Sequence, residues 1–230
     1  MLRVMRVSTI DSINTNSSCF QTAGIDEDLK PYLDLYEELV YRTAVHRGDE
    51  LVSYEDIDVE MDRETDNYGA GIDRTTGIFM FRIKVAKDNF LKGLQYLNEG
   101  MTKQVFTVER IQHHVTSFNN SFSERMKSPG IVLDLLMMPM LLKNNSYELL
   151  HDLVNMHKLR TTIDQDIKDE EARNTLDKFR RITEFMTNPQ RVMFFIGGDI
   201  KSIADSLKKD QRKDLEAVLD EYLGEGVLGF

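Results

Sequence analysis

The sequence predicts an α+β fold, an antiparallel sheet covered by helices, and three observations predict it. In Ile78–Val85, IFMFRIKV, residues Phe79, Phe81, Ile83 and Val85 alternate with Ile78, Met80, Arg82 and Lys84, the pattern of a half-buried strand. A second apolar run, RVMFFIGGD, reads as a short buried strand that leaves through Gly197-Gly198. Elsewhere apolar residues recur at steps of three and four, as in Val108, Ile111, Val115, Phe118 and Phe122. Few strands and many helices around one sheet make an α+β domain.

Taken in order, Ser12–Gln21 (SINTNSSCFQ) is a weak strand candidate. The turn AGID follows, and Asp26 is placed to cap a helix that carries Pro31 in its first turns. Leu29, Tyr32, Leu33, Tyr36, Leu39 and Val40 form its apolar face, and Gly48 is expected to end the element. Ser53 starts the next helix, with Asp56 completing a capping-box-like pair and Ile57 and Met61 inside. Asp73–Gly77 is the hairpin turn before the alternating strand. Phe90, Leu91, Leu94 and Leu97 mark a helix, and Thr107 caps the one after it. Ser128-Pro129 opens a Met-rich helix, read as buried because its run IVLDLLMMPMLL is too short to span a bilayer. Tyr147, Leu150, Val154 and Met156 suggest a short helix, and a charged helix runs from about Gln165 to Met186. Asp199 caps a last short helix with Ile200, Ile203 and Leu207 inside. With no Pro-, Gly- or Ser-rich linker and no repeat, one domain is expected over residues 1–230: a core at about 13–207 and a helical tail at 208–230.

Composition excludes some partners. The net charge of −10 argues against nucleic acid and against anionic lipid surfaces, which demand clustered Lys and Arg. The lone Cys19 has no disulfide partner, which favours a reducing compartment and a structural thiol. The N-terminus lacks the apolar core and cleavage site of a secretory signal. A cytoplasmic location follows, with a mitochondrial one if the native N-terminus lies upstream.

Candidate chemistry is sparse. Thr43–Asp56, TAVHRGDELVSYED, contains a damaged H-x-x-E-H zinc motif at His46–Glu50 and the adhesion tripeptide Arg47-Gly48-Asp49. The zinc reading fails because Glu50 stands where the second His belongs and Gly48 sits mid-motif, where it weakens a helix by about 1 kcal/mol. The tripeptide reads as a polar turn between two helices. Adjacent His113 and His114 point about 100° apart on a helix, and His114 borders the Ile111–Val115 stripe as a satisfied, partly buried imidazole. His151 and His157 are poorly spaced for one face. G-x-S-x-G, P-loop and G-x-G-x-x-G motifs are absent, and the acidic stretches Glu55–Asp66 and Asp164–Glu171 lack EF-hand spacing and read as solvated helix faces. The Met-rich patch Leu136–Leu142 has the composition of an adaptable binding surface, but core packing is its expected use. No catalytic, metal or substrate-binding residue is assigned.

Five segments in order add a resemblance: DLKPYLDLYEELVYRTAV, SYEDIDVEMDRETDNYGAGI, FRIKVAKDNFLKGLQYLNEGM, FTVERIQHHVTSFNNSFSERMKSPGIVLDLLM and NPQRVMFFIGGDIKSI. Together they resemble the insulinase/pitrilysin zinc metallopeptidase family, and within it the presequence-protease-like branch, over roughly Ile13 to Leu207. The resemblance implies the metallopeptidase domain fold of the LuxS/mitochondrial processing peptidase type. Family members place repeated domains of this kind, as two halves, around a closed peptide-degrading chamber. Only their first domain carries H-x-x-E-H and its distal Glu, and this chain has neither. The Arg/Tyr pair motif of the later half is also missing. The chain therefore looks like a non-catalytic domain of the second half, with FQTAG at Phe20–Gly24 as the exit from the sheet edge into the first helix. It implies no cofactor in this chain, zinc being expected only in the catalytic domain of a full-length relative. Implied partners are sister domains or a partner subunit, and unfolded peptides, with neither nucleic acid nor membrane. The alternative is a stand-alone, inactive interaction module that assembles with a partner subunit. A truncated product of a longer gene would also begin almost directly on the first strand.

Overall fold

The computed structural model describes residues 3–8, 13–143, 145–169, 171–188 and 191–198. The helix expected from Asp199, with Ile200, Ile203 and Leu207, and the tail after Lys208 lie outside the described residues. The main sheet has five strands in the order β1-β8-β2-β6-β5. These are β1 (Arg3–Ser8), β2 (Ile13–Gln21), β5 (Asn67–Asp73), β6 (Ile78–Ala86) and β8 (Val192–Gly198). All pairs are antiparallel except β1 with β8, which is parallel. The register puts Phe20 opposite Phe79 and Ser18 opposite both Phe81 and Phe194. Every one of these side chains is buried, so one sheet face carries the core.

The predicted strand at Ile78–Val85 is β6, and Phe79, Phe81, Ile83 and Val85 are fully buried as the alternation requires. Its turn is the expected Asp73–Gly77, where Gly77 takes φ +69 and a Cβ would meet the Tyr147 ring at 2.9 Å. α1 (Leu33–Leu39) is shorter than expected. It is preceded by a 3-10 turn at Lys30–Tyr32 with Pro31 inside, and Asp26 does not cap it. Instead the Asp26 carboxylate accepts from Arg181 at 2.6 Å. α1 stops at Leu39 because the chain then turns into β3 (Ala44–Arg47), which pairs with β4 (Glu50–Val52) and β7 (Gln104–Val105) in a small second sheet.

The other helices are α2 (Tyr54–Glu64), α3 (Phe90–Asn98), α4 (Val108–Arg125), α5 (Pro129–Leu141), α6 (Tyr147–Leu150), α7 (Leu153–Lys168) and α8 (Arg173–Met186). Ser53 and Thr107 cap α2 and α4 as predicted, each accepting a backbone N–H at 3.2 Å. The charged helix expected over Gln165–Met186 is two helices, α7 and α8. No helix of the described residues is long and apolar enough to cross a membrane.

α1 is buried on nearly all sides: Leu33, Asp34, Leu35, Tyr36 and Leu39. The Tyr36 ring stands edge-on to Phe79 of β6 at 5.8 Å and to Phe179 of α8 at 6.1 Å. The central helix is thus fixed between the sheet and the helical layer.

Candidate functional site

Among the described residues β5 is an edge of the main sheet, and α1 runs beside it. Glu37 of α1 accepts the Ile72 amide at 2.9 Å, so that amide points away from β6. Backbone direction alternates along a strand, so the N–H and C=O groups of Tyr68 and Ala70 face the same way. The strand reads NYGAGID, and its Gly69-Ala70-Gly71 centre leaves the backbone open to close approach. A cavity of about 220 Å³ lies at this edge, with Glu37, Glu38, Tyr41 and Arg42 on the helix side and Tyr68, Gly69 and Ala70 on the strand side.

Two carboxyl groups give this pocket its chemistry. Burial pushes the Glu37 carboxyl up to about 7, so it exchanges its proton near neutrality. Burial likewise raises Glu38, against the pull of Arg160. The Tyr41 ring also lines the pocket, but its hydroxyl lies buried beside Gly100, without a hydrogen-bond partner among the described residues. An edge with free main-chain groups and a protonatable carboxyl can pair with an extended peptide backbone and hydrogen-bond its polar groups.

Beneath the pocket lies a buried charge cluster that sequence reading missed. Arg160 of α7 is fully buried and donates to Asp34 at 2.8 Å, with Glu38 at 3.0 Å. Its guanidinium lies 4.0 Å from the centre of the Phe118 ring. Arg74, in the β5–β6 turn, donates to Asp34 at 3.0 Å and to the His151 carbonyl at 3.2 Å. His151, fully buried, bonds the Lys30 carbonyl through Nε2 at 2.8 Å. The cluster ties α1 to α6, α7 and the β5–β6 hairpin. The signal in the sequence was Asp34, a charged residue inside the apolar repeat of a central helix.

The structure corrects the reading of Thr43–Asp56. His46–Glu50 is a β-hairpin, with Gly48 at φ +63 in its turn, so the turn joins strands rather than helices. His46 is exposed on β3 and cannot share a helical face with Glu50. Arg47 is already engaged: it donates to Glu99 at 2.7 and 3.0 Å and to Glu60 at 2.8 Å. These bonds raise its pKa further and leave no free guanidinium for an adhesion receptor. Among the described residues, no group of three or more His, Cys, Asp or Glu side chains could hold a metal ion. Burial raises the Cys19 thiol, the opposite of a nucleophile's activation. His114 is partly buried as expected but not satisfied, because its Nε2 has no partner among the described residues, and burial lowers it to about 4.

The Met-rich helix is a second correction. α5 has no fully buried residue: Leu133, Leu136, Met140 and Leu141 are 55%, 66%, 83% and 69% exposed. Core packing is not its use. Apart from Asp134 its run is apolar all round, so no polar face marked the surface in the sequence.

No family model matches the chain, and no curated protein matches it. Solved structures do share the fold. One is the periplasmic protease PqqL from Escherichia coli, with TM-score 0.64 and 12% identity, covering 97% of this chain and 22% of that one. A protease from Helicobacter pylori has TM-score 0.65 and 14% identity, covering 97% and 48%. The peptidase M16 inactive domain from Pseudomonas fluorescens has TM-score 0.62 and 14% identity, again covering 97% and 48%. The chain thus has the fold of the M16, insulinase-like peptidases and spans less than half the length of these neighbours.

Proposed function

We propose that this chain is a non-catalytic domain of an insulinase/pitrilysin-type peptidase, from the second half of a presequence-protease-like member. It binds unfolded peptide and completes the peptide-degrading chamber with sister domains or a partner subunit. It is one domain, core 13–207 with its tail, and has no peptidase activity and no cofactor of its own. Zinc belongs to the catalytic domain of the full-length protein. A reducing compartment, the cytoplasm, suits the single Cys19.

The observation that carries the reading is the open β5 edge, where Tyr68 and Ala70 turn main-chain groups outward beside the Glu37 pocket. The test is anisotropy of a labelled unstructured peptide on Ala70→Pro. The outward Ala70 amide takes no part in the ladder to β6, so proline blocks an added strand without breaking the sheet. Binding is expected to weaken at least tenfold, with no cleavage in the presence or absence of zinc. Equal binding by the variant would refute edge recognition. Intact mass of the endogenous polypeptide tests the multidomain part: a chain several times heavier than 26.7 kDa supports it. The exposed apolar α5 favours the second reading, a stand-alone inactive module that assembles through that helix, which a mass of 26.7 kDa and a stable complex would establish.

A further inference from the structure

A second cavity, of about 370 Å³, lies between α5 and α7. It falls within the range of small-molecule sites. Its apolar walls are Ile131, Leu135 and Met138 of α5, and Leu153 and Met156 of α7. His151 stands in the wall between them. The Lys30 carbonyl can only accept, so His151 Nε2 must donate to it and carry the ring proton. Nδ1 is then a bare acceptor in the neutral ring, buried and without a partner among the described residues. Burial favours that neutral form.

The charges at the cavity point the same way. Asp134 and Glu148 have no ion-pair partner among the described residues, and Asp152 caps α7 by accepting from Asn155 at 2.7 Å. Against these three carboxylates stand two guanidiniums. Arg74 is engaged with Asp34, and Arg125 lies 4.9 Å from the Phe118 ring centre. The site is apolar inside, offers an acceptor that needs a donor, and has an acidic balance.

We infer that this cavity binds an apolar amine: a hydrocarbon body between α5 and α7, with an ammonium group that donates to His151 Nδ1 and is held by Asp134 and Glu148. An alcohol of equal length supplies a donor without the charge, and a carboxylate supplies neither. This site is separate from the β5 edge and stands whether or not that edge binds peptide.

The test uses the full chain with methyl-labelled methionine and ring-labelled histidine, titrated with hexylamine, octylamine, octanol and octanoate. Octylamine should move the Met138 and Met156 methyl signals and the His151 Nδ1 signal saturably. It should bind about tenfold tighter than octanol, and octanoate should not bind. Each methylene added to the amine should tighten binding about fourfold. Asp134→Asn with Glu148→Gln should remove the preference for amine over octanol, and Met138→Trp should fill the space and abolish binding of both. Failure of octylamine to bind, equal binding of octylamine and octanoate, or a double variant that keeps the preference would each overturn the proposal.

Discussion

Replacing Glu37 by Gln tests the edge pocket through its proton. One Glu37 oxygen accepts the Ile72 amide at 2.9 Å. Burial raises the carboxyl from 4.5 to about 7, outweighing the Ile72 hydrogen bond that pulls it down. At 1.36 kcal/mol per unit, this rise corresponds to about 3 kcal/mol against the charged form in the fold. Solvent contact in the open pocket reduces it to about 2 kcal/mol. The folded chain holds the proton that the unfolded chain releases between pH 4.5 and about 7. Stability contributed by Glu37 is therefore fully present below that window, falls as pH rises through it and is flat above. Gln keeps a carbonyl for the Ile72 amide and has no proton to lose. Urea unfolding of both proteins should give nearly equal stability at pH 4.5, the ordinary carboxyl value. At a pH about one unit above the raised value of about 7, Glu37→Gln should be more stable by about 2 kcal/mol, or about 4–8 °C in Tm. A stability difference between the two proteins that does not change with pH would refute the burial argument.

Three further outcomes follow from the packing. Arg160→Met should cost about 3–5 kcal/mol in urea unfolding, because it strips Asp34 of one of its two arginines, and Arg160→Met with Asp34→Leu should recover much of that loss. Gly77→Ala should cost about 1–3 kcal/mol, since φ +69 and the Tyr147 ring at 2.9 Å both oppose a Cβ, whereas Gly48→Ala at φ +63 meets nothing within 4 Å and should cost about 1 kcal/mol in the same assay. Leu136→Glu with Met140→Glu should change stability by no more than about 0.5 kcal/mol while sharply lowering the fluorescence of a dye that binds exposed apolar surface.

Where the sequence was legible, one physical signal dominated. Alternation in Ile78–Val85 gave β6 and its buried face because each Phe on one side meets the core. Ser53, Thr107 and Pro129 marked helix starts because caps act locally. β3, β4 and β7 were missed because each is four residues or shorter, and β3 and β7, which pair with each other, lie far apart in sequence. The Thr43 hydroxyl, for example, reaches the Val105 carbonyl. β1 was missed because its neighbour among the described residues is β8, at the other end of the described chain. The β5 edge was illegible because edge position belongs to the sheet order, not to NYGAGID. The exposed α5 shows the reverse failure: composition alone cannot say whether an apolar helix faces the core or the surface.

The two faces of α1 connect these features. Leu33, Leu35, Tyr36 and Leu39 could be packed by apolar neighbours alone, yet Asp34 is buried among them and held by Arg74 and Arg160. A buried ion pair of this kind is weak evidence for added stability, since an apolar replacement of equal volume is often as stable. What the pair does supply is geometry, because a guanidinium on α7 and another in the β5–β6 turn meet one carboxylate only at one rotation of α1. That rotation puts Glu37, three residues on, against the Ile72 amide at the sheet edge and leaves Ala70 open beside it. On this argument the double replacement of Arg160 and Asp34 should retain most stability yet lose peptide binding at β5 (anisotropy would show it), and a double variant that binds as well as the parent would mean that packing alone sets the helix.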